Sequence, residues 1–253
     1  MDWSGQYHPP VLVVGLVVLV VFVGALVRAT FGFGEAIVAM PLLALLPITL
    51  PTAASLMGLV GLAIAAASVA EGRGAVDRGV LVRLGVGTLV GVPAGLLLVR
   101  SVPEEVMTVL LGGFLVAYGA YALTQRTERP SVATRWASPV GVVAGALGSA
   151  YSFHGMPVAV YGTLRGWSPE VFRGTLQAFF LVSGALVVAA QGIGGLWSRE
   201  LVPLAVAAVP AVAVAMLLGR ALHTRMPPDR FHGFVHLLVV GLGLVLVVRA
   251  LAG

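Results

Sequence analysis

Long apolar runs separated by short polar turns make up almost the whole chain. Two of these runs, residues 11–27 and 237–248, contain no charged residue. A helix needs about 20 apolar residues to cross a bilayer core, so runs of this length cross the core or nearly do so. Run length and turn residues predict ten helical elements, at about 10–30, 35–49, 52–71, 79–100, 103–124, 136–151, 155–165, 169–191, 199–222 and 227–251. This pattern is that of an all-α polytopic membrane protein.

The elements fall into two similar halves, residues 1–125 and 136–253, joined by a polar linker at 126–135. Pro51 and Pro169 stand near the start of the third element in each half, where the missing N–H of proline is harmless. Five is an odd number, so a second half whose elements all cross begins on the opposite side of the bilayer. The sequence therefore predicts two inverted five-element repeats with broken or short helices at mid-membrane, an architecture found in many secondary transporters.

Arginines are distributed unequally between the predicted turns. The chain has no Lys, and if all ten elements cross, twelve of its 15 basic residues lie on one side. The twelve are Arg28, Arg73, Arg78, Arg83, Arg126, Arg129, Arg135, Arg165, Arg173, Arg220, Arg225 and Arg230, and the other three are Arg100, Arg199 and Arg249. If the short elements at 35–49 and 155–165 turned back, the split would be seven against eight. Because cytoplasmic loops are enriched in Arg and Lys, the distribution favours ten crossings with both termini outside.

Composition agrees with a membrane protein and excludes several other classes. The chain is 59% hydrophobic and 10% charged, whereas a soluble domain carries about 25% charged residues. Its net charge of +5 is explained by arginines in turns, so no nucleic-acid partner is predicted. The absence of Cys excludes thiolate metal sites and thiol catalysis. His232 and His236 lie four apart, but no Glu, Asp or Cys nearby completes a metal site, and no catalytic motif is found. We therefore predict neither an enzyme nor a cofactor.

Two breaks interrupt the apolar pattern, Thr30–Pro41 (TFGFGEAIVAMP) and, about 120 residues later, Tyr151–Tyr161 (YSFHGMPVAVY). The aligned pairs are Phe33 with Phe153, Gly34 with His154 and Glu35 with Gly155. Inside lipid, an unpaired backbone group costs several kcal/mol, so such a break must be buried in protein or line a wet cavity. The two breaks are therefore the first candidates for a functional site.

Each break carries one titratable group. Glu35 heads an apolar helix, where it could be a protonatable group or a cation ligand in the bundle. It could equally stabilise the N-terminus of its own helix, or lie near the cytoplasmic surface with Arg28. His154 could donate to an anion or relay a proton, or bond to a backbone carbonyl that the break exposes. Glu35 and His154 are the candidates for proton coupling.

Donors near the breaks point to an anion site. Ser149, Ser152 and the backbone N–H groups near Gly34 and Gly155 are expected at helix starts, and two converging N-termini can hold an anion without a lysine. Arg173 could fork onto an oxyanion or pair with Glu35, or extend to the cytoplasmic surface. The candidate substrate-binding residues are Gly32, Phe33, Gly34, Glu35, Ser149, Ser152, Phe153, His154, Gly155, Arg173 and Gln177.

The chain resembles the sulfite exporter TauE/SafE family of small bacterial membrane transporters. The resemblance rests on GFGEAIVAMPLLALL, GALGSAYSFHGMPVAVYGTLRG and PEVFRGTLQAFF, in that order. Matching positions are Gly32, Gly34 and Pro41 in the first turn, Gly155 and Pro157 in the second, and Arg173, Gly174 and Thr175 in the third. Family members often have three consecutive glycines in these turns, where this chain carries Glu35 in the first and Ser152, Phe153 and His154 in the second.

The resemblance implies a secondary transporter in the bacterial plasma (inner) membrane. Its expected substrate is a small sulfur oxyanion, sulfite or an organosulfonate such as sulfoacetate, exported by alternating access with possible proton coupling. Another small anion, a carboxylate or an inorganic ion, is the alternative within transport. A membrane enzyme or scaffold subunit is the alternative from another class. The expected partners are the anion and the lipid bilayer, and the oligomeric state, monomer or homodimer, is left open.

Overall fold

The described part of the chain is helical. A computed structural model describes residues 10–72, 74–124, 132–223, 241, 243–246 and 248, and these residues contain no strand. The helices are α1 (Val11–Phe31), α2 (Glu35–Leu43), α3 (Leu50–Ala70), α4 (Arg78–Ser101), α5 (Glu104–Thr124), α6 (Ala137–Tyr151), α7 (Gly155–Arg165), α8 (Pro169–Ile193) and α9 (Leu201–His223), with a 3₁₀ turn at Thr134–Trp136. Within these residues α1, α3, α4, α8 and α9 are long and apolar enough to span a membrane. The prediction of an all-α membrane protein is confirmed.

Local capping explains where several helices begin. Thr49 accepts a hydrogen bond from the backbone N–H of Thr52 at the start of α3. Ser168 does the same for Val171 at the start of α8. Each cap is followed by a proline in the first turn, where proline removes no helical hydrogen bond. The predicted helix starts at the two prolines are confirmed.

Contacts between turns define two ends of the bundle. At one end, called the Glu104 end, Glu104 accepts from the backbone N–H of Leu50 and the Thr52 hydroxyl donates to Ser198. At the other, called the Glu71 end, Glu71 pairs with Arg220. α3 therefore runs from the Glu104 end to the Glu71 end. Further contacts at the Glu71 end join Asp77 to Arg165 and to Thr175, and at the Glu104 end Arg100 donates to the Gly194 carbonyl. Successive turns therefore lie at alternate ends of the bundle, as helices that cross a membrane one after another require. The inverted relation of the two halves and the orientation in the membrane stay predictions.

Of the two short helices, α7 (Gly155–Arg165) has the predicted bounds, whereas α2 is shorter than predicted. α2 ends at Leu43, and residues 44–49 form turns rather than continuing the helix to 49. α2 has nine residues and α7 has eleven, so each helix is only roughly 14–17 Å long and cannot cross the core alone. Pro41 inside α2 leaves a carbonyl without its helical donor, which favours an early end.

Close helix pairing rests on glycine. The most extensive pairings within the described chain are α4 with α6 and α1 with α9. A methyl group on Gly91 of α4 would overlap the Val142 carbonyl of α6, and one on Gly141 would overlap the Leu84 carbonyl. Glycines spaced by four on α4 and α6 thus let the two backbones approach closely, as small residues do between membrane helices. If the halves are equivalent, α1 corresponds to α6 and α4 to α9. The pairing of α4 with α6 then corresponds to that of α9 with α1, as two repeats would require.

Parts of the prediction lie outside the described residues. These parts are most of the linker at 126–135, most of the tenth element at 227–251, and His232 and His236. The described residues of the tenth element are helical, and Gly243 lies against Gly112 of α5. The division of the chain into two halves stays a prediction.

Candidate functional site

Two left-handed glycines form the first break. Gly32 ends α1 with φ 89°, and Gly34 precedes α2 with φ 98°. L-residues with a side chain pay roughly 1–2 kcal/mol to adopt this conformation, so glycine at both positions lets the chain reverse within three residues. α2 then begins at Glu35, which places a carboxylate in the first turn of a buried helix.

The carboxylate of Glu35 pairs with Arg28 inside the protein. The Arg28 Nη1 group donates to Glu35 Oε1, and the two residues are 1% and 4% exposed. Glu35 also lies in the first turn of α2, where a carboxylate is favoured by the helix dipole, although no side chain caps this helix by a hydrogen bond. The predicted pairing with Arg28 has the right partner but the wrong depth, because the pair is buried rather than at the surface. The alternative pairing of Glu35 with Arg173 was wrong, because the partner is Arg28. Gly61 of α3 faces this pair, because a methyl group there would lie 3.2 Å from Glu35 Oε1.

Gln177 and Phe180 of α8 complete the surroundings of Arg28. Gln177 Nε2 donates to the Gly32 carbonyl at 2.8 Å, and its Oε1 accepts from Arg28 Nη2 at 3.3 Å. This amide therefore ties the end of α1 to α8. The Arg28 guanidinium lies over the Phe180 ring, 4.1 Å from its centroid, a favourable cation–π geometry.

A polar cleft of about 210 Å³ opens beside this break. Its lining residues come from α1, α3, α8 and α9, together with the turns that follow α1 and α3: Arg28, Ala29, Gly32, Ile64, Ser68, Glu71, Arg173, Gln177, Met216 and Arg220. We call it the arginine cleft. Because Glu71 and Arg220 line it, it lies toward the Glu71 end. Its volume is below the roughly 300–1,000 Å³ of pockets for drug-sized ligands, which suits a small solute.

Charges around the arginine cleft favour an anion. Three arginines line it, and they are opposed by Glu71, which pairs with Arg220, and by Glu35 behind Arg28. The sum of these charges is +1. Arg173 lies against the break, since its Nε is 3.5 Å from a methyl position on Gly32. Guanidinium groups present forked donors that suit planar or tetrahedral oxyanions.

The second break resembles the first in where one helix ends and the next begins. Ser152 ends α6 in the left-handed conformation with φ 59°, where Gly32 ends α1. α7 begins at Gly155, as α2 begins at Glu35. The Ser152 hydroxyl donates to the Ala54 carbonyl of α3 at 2.7 Å. The two breaks therefore match at the helix ends, Gly32 with Ser152 and Glu35 with Gly155, but differ between them, since Gly34 is left-handed and His154 has φ −60°.

Several candidate residues serve packing rather than the cleft. The Ser149 hydroxyl donates to the Val92 carbonyl of α4 at 2.9 Å. Ser149 and Ser152 also lie at the end of α6 rather than at a helix start, so the expected placement of these donors was wrong. Phe153 is buried and stacks on Phe114 at 5.9 Å, and Phe33 meets the Phe172 ring edge-on. None of these side chains lines the arginine cleft.

His154 is a buried ring without hydrogen bonds among the described residues. It is 1% exposed, and neither ring nitrogen has a partner there. The alternative of a His bonded to an exposed backbone carbonyl is therefore corrected. The ring lies edge-on to Phe180 at 5.2 Å. Gly155 permits this contact, since a methyl group there would overlap Phe180.

Phe180 connects the two breaks. Arg28 lies over the face of its ring, and His154 approaches it from the second break. The polar groups of the two breaks are thus close but separated by an apolar ring. Gln177 and Arg173 lie against Gly32, Glu35 joins them through Arg28, and His154 contacts Phe180 from the second break.

Sequence reasoning did not place Arg28 or Phe180 in the site, and it passed over Gln191, which the structure buries on α8. Arg28 was counted as a topological charge and as a possible surface partner of Glu35, although a lone Arg four residues before a helix break is itself a signal of an intramembrane site. Gln191 lies 14 positions after Gln177 on α8, which is the same helical face. Phe180 carries no signal in the sequence, because its role depends on what packs on either side.

The comparisons with known proteins identify a family. A family model described as Sulfite exporter TauE/SafE matches residues 16–246. No curated protein and no solved structure matches the chain.

Proposed function

Since this chain belongs to the TauE/SafE sulfite exporter family, we propose that it exports a small sulfur oxyanion, sulfite or an organosulfonate such as sulfoacetate. The family is one of membrane transporters of sulfur anions, and the apolar helices make the chain a multi-pass membrane protein. In the proposal the membrane is the bacterial inner membrane, with both termini outside. The Glu71 end and its arginine cleft then face the cytoplasm.

The arginine cleft is the observation that supports this proposal most strongly. Arg173 and Gln177 lie beside Gly32, and the buried Arg28 forms part of the wall. An oxyanion in the cleft would accept hydrogen bonds from Arg173 and Arg28, and its charge would meet a site of net positive charge. Charge-assisted bonds of this kind are stronger than neutral ones, which suits a solute as strongly hydrated as sulfite.

The Arg28–Glu35 pair offers a means of proton coupling. While Glu35 is ionised, it occupies Nη1 of Arg28. A proton on Glu35 removes that competitor, so Arg28 can turn its donors to the anion. Anion binding and protonation would then favour each other, as linkage requires. His154 is the second proton-coupling candidate, since its buried ring nitrogens have no protein partner in the described chain.

Closed contacts at the Glu104 end are consistent with alternating access. Arg100 donates to the Gly194 carbonyl, and the hydroxyl of Thr52 donates to Ser198 at 3.0 Å. The arginine cleft opens toward the other end. In an alternating cycle the contacts at the Glu104 end would break while the cleft closes, with Phe180 separating the two sides of the path.

A carboxylate or inorganic anion is the alternative substrate, because guanidinium groups bind these as well. The test is thermal unfolding of the detergent-purified protein with sulfite, sulfate, thiosulfate, sulfoacetate, taurine or acetate. A ligand that binds only the folded state raises its stability by RT ln(1 + [L]/Kd). We expect sulfite or sulfoacetate to give the largest shift.

Variants locate the binding site in the same assay. Arg173→Gln should remove most of the anion shift, because it deletes a charged donor from the cleft. Arg78→Gln is the matched control, since Arg78 is exposed at the same end and does not line the cleft. No shift with any sulfur anion, or an equal shift in Arg173→Gln, would contradict the proposal.

A further inference from the structure

We infer that the second break holds a binding site for a small alkali cation, such as Na⁺, formed by Gln191 with Ser55 and Ser152. This site is separate from the arginine cleft and goes beyond the proposed anion transport. Its evidence is a set of buried neutral oxygens at the end of α6, two of which have no hydrogen-bond partner among the described residues.

Gln191 is the centre of this site. Its side chain is fully buried, and Nε2 donates to the Ser149 carbonyl at 3.1 Å. That bond fixes the orientation of the amide, because turning it over would place Oε1 against another acceptor. Oε1 is then left buried without a partner in the described chain. A buried acceptor left unpaired costs roughly 1–3 kcal/mol, so a bound ligand that it coordinates would be favoured.

Gln177 shows what a satisfied amide looks like at the first break. It lies 14 positions earlier on the same face of α8, and its Nε2 also donates to a carbonyl at a helix end. There, however, Oε1 accepts from a cation, the Arg28 guanidinium. The corresponding oxygen of Gln191 has the same environment of helix-end carbonyls and no arginine. A soluble cation would fill the place that Arg28 fills at the first break.

Other oxygens converge on the same point of α3. A methyl group on Gly58 would lie 3.1 Å from Gln191 Oε1 and 3.5 Å from Ser152 Oγ. Ser152 donates its proton to the Ala54 carbonyl, which leaves its lone pairs available to a cation. Ser55 lies one turn before Gly58, and its buried hydroxyl has no partner in the described chain.

The charge of the surroundings selects a monovalent cation. The described hydrogen bonds of Gln191, Ser152 and Ser149 involve only neutral groups. The end of α6 contributes the negative end of a helix dipole, which favours a cation and disfavours an anion. Broken helices coordinate Na⁺ in transporters through such carbonyl ends. No carboxylate takes part in these bonds, so a divalent ion would be poorly compensated.

Three hydroxyl residues, Thr49, Thr52 and Ser55, are spaced by three between the Glu104 end and this site. Thr49 is exposed, and its hydroxyl lies 2.8 Å from that of the buried Thr52. Thr52 in turn donates to Ser198 at 3.0 Å. Ser55 follows three residues deeper along α3, and Gly58 three residues beyond it. These neutral oxygens give a partly dehydrated cation a stepwise route from the surface.

The test is thermal unfolding of the detergent-purified full chain in sodium chloride or in N-methyl-D-glucamine chloride, at equal ionic strength and without sulfur anions. We expect Na⁺ to raise the unfolding midpoint in a saturable manner. Gln191→Leu should weaken the apparent affinity for Na⁺ by about tenfold or more, since it removes a charge-assisted contact. Gln191→Glu keeps an oxygen there and should bind Na⁺ at least as tightly as the wild type.

Gln177→Leu is the matched control, because it removes the equivalent amide at the other break. It should keep the Na⁺ shift and weaken the anion shift, whereas Gln191→Leu should do the reverse. The two proposals can therefore fail independently. If Gln191→Leu does not fold, Ser55→Ala decides, and an unchanged affinity for Na⁺ in that variant would overturn the inference. Equal midpoints in the two salts for the wild type would overturn it directly.

Discussion

At the scale of single residues, the buried pair of Arg28 and Glu35 is the feature on which the account depends most. Both side chains are almost completely removed from solvent. Deleting one partner of such a pair leaves an uncompensated buried charge, whereas replacing both removes the problem. Removing one member of the pair should therefore lower the free energy of unfolding much more than replacing both members, and this difference can be measured.

Arg28→Gln should lower the free energy of unfolding by about 3–5 kcal/mol, because Glu35 is left buried and unpaired. Adding Glu35→Gln in the same chain should restore most of that loss. Chemical unfolding in detergent measures the coupling. The control is Arg220→Gln at the half-exposed pair with Glu71, which should cost no more than about 1 kcal/mol. Additive effects of the Arg28 and Glu35 substitutions would mean that the two side chains do not interact.

Protonation of Glu35 should govern anion affinity. In the proposed coupling, ionised Glu35 competes with the anion for Arg28, so a coupled proton on Glu35 should tighten sulfite binding and make the affinity depend on pH. Glu35→Gln mimics the protonated state and should remove this contribution. Calorimetry gives the Kd for sulfite of the wild type and of Glu35→Gln at each pH. Protonation of sulfite itself affects both proteins equally, so the difference between their Kd values reports on Glu35. Parallel pH profiles would show that Glu35 does not take part.

At the scale of helices, glycine decides how closely α4 and α6 approach. Gly91→Ala should destabilise the protein by about 1–3 kcal/mol, because the added methyl group has no space beside the Val142 carbonyl. Gly113 of α5 is the control, since a methyl group there meets nothing within 4 Å. Gly113→Ala should be neutral or stabilise by up to about 1 kcal/mol, as expected for an exposed helical glycine. Equal effects at the two sites would contradict close packing at Gly91.

Helix positions could be predicted from the sequence more reliably than side-chain partners. Apolar run length and the prolines at 51 and 169 located the helices, and the aligned glycines located both breaks, because these features act locally. The end of α2 at Leu43 was missed, since the residues after it are as apolar as the helix itself. For Glu35 the sequence left Arg28 and Arg173 open as partners and placed the Arg28 pairing at the surface, because neither depth nor long-range contact is a local property. The packing of α1 against α2 and α8 selects Arg28 and buries the pair. The roles of Phe180 and Gln191 depend on contacts between both halves, which no local pattern encodes.

At the scale of the whole molecule, the two ends of the bundle differ in charge. Arg78, Arg165 and Arg220 lie at the Glu71 end with the arginine cleft, and Arg100 lies at the Glu104 end. By the rule that cytoplasmic turns are richer in Arg, this difference supports the proposed orientation, with the cleft open to the cytoplasm. Such an opening suits an exporter, which must collect its substrate there.

Cysteine labelling can test this orientation, because the natural chain has no Cys. Val76 and Arg199 are exposed in turns at opposite ends. With a membrane-impermeant maleimide, Arg199→Cys should react in intact cells and Val76→Cys only after permeabilisation. The reverse labelling pattern would place the arginine cleft on the outer side of the membrane and contradict the proposed orientation.

The central claim is that a sulfur oxyanion crosses the membrane by way of Arg28 in the arginine cleft. The most direct measurement is the flux of radiolabelled sulfite in proteoliposomes that contain either the wild type or the double variant Arg28→Gln with Glu35→Gln. The double variant leaves no unpaired buried charge, so it should fold. A loss of flux would then reflect the loss of the Arg28 guanidinium rather than unfolding. We predict saturable flux in the wild type, stimulated by a proton gradient, and none above empty liposomes in the double variant. Undiminished flux in the double variant, or no sulfite flux in the folded wild type, would contradict the account.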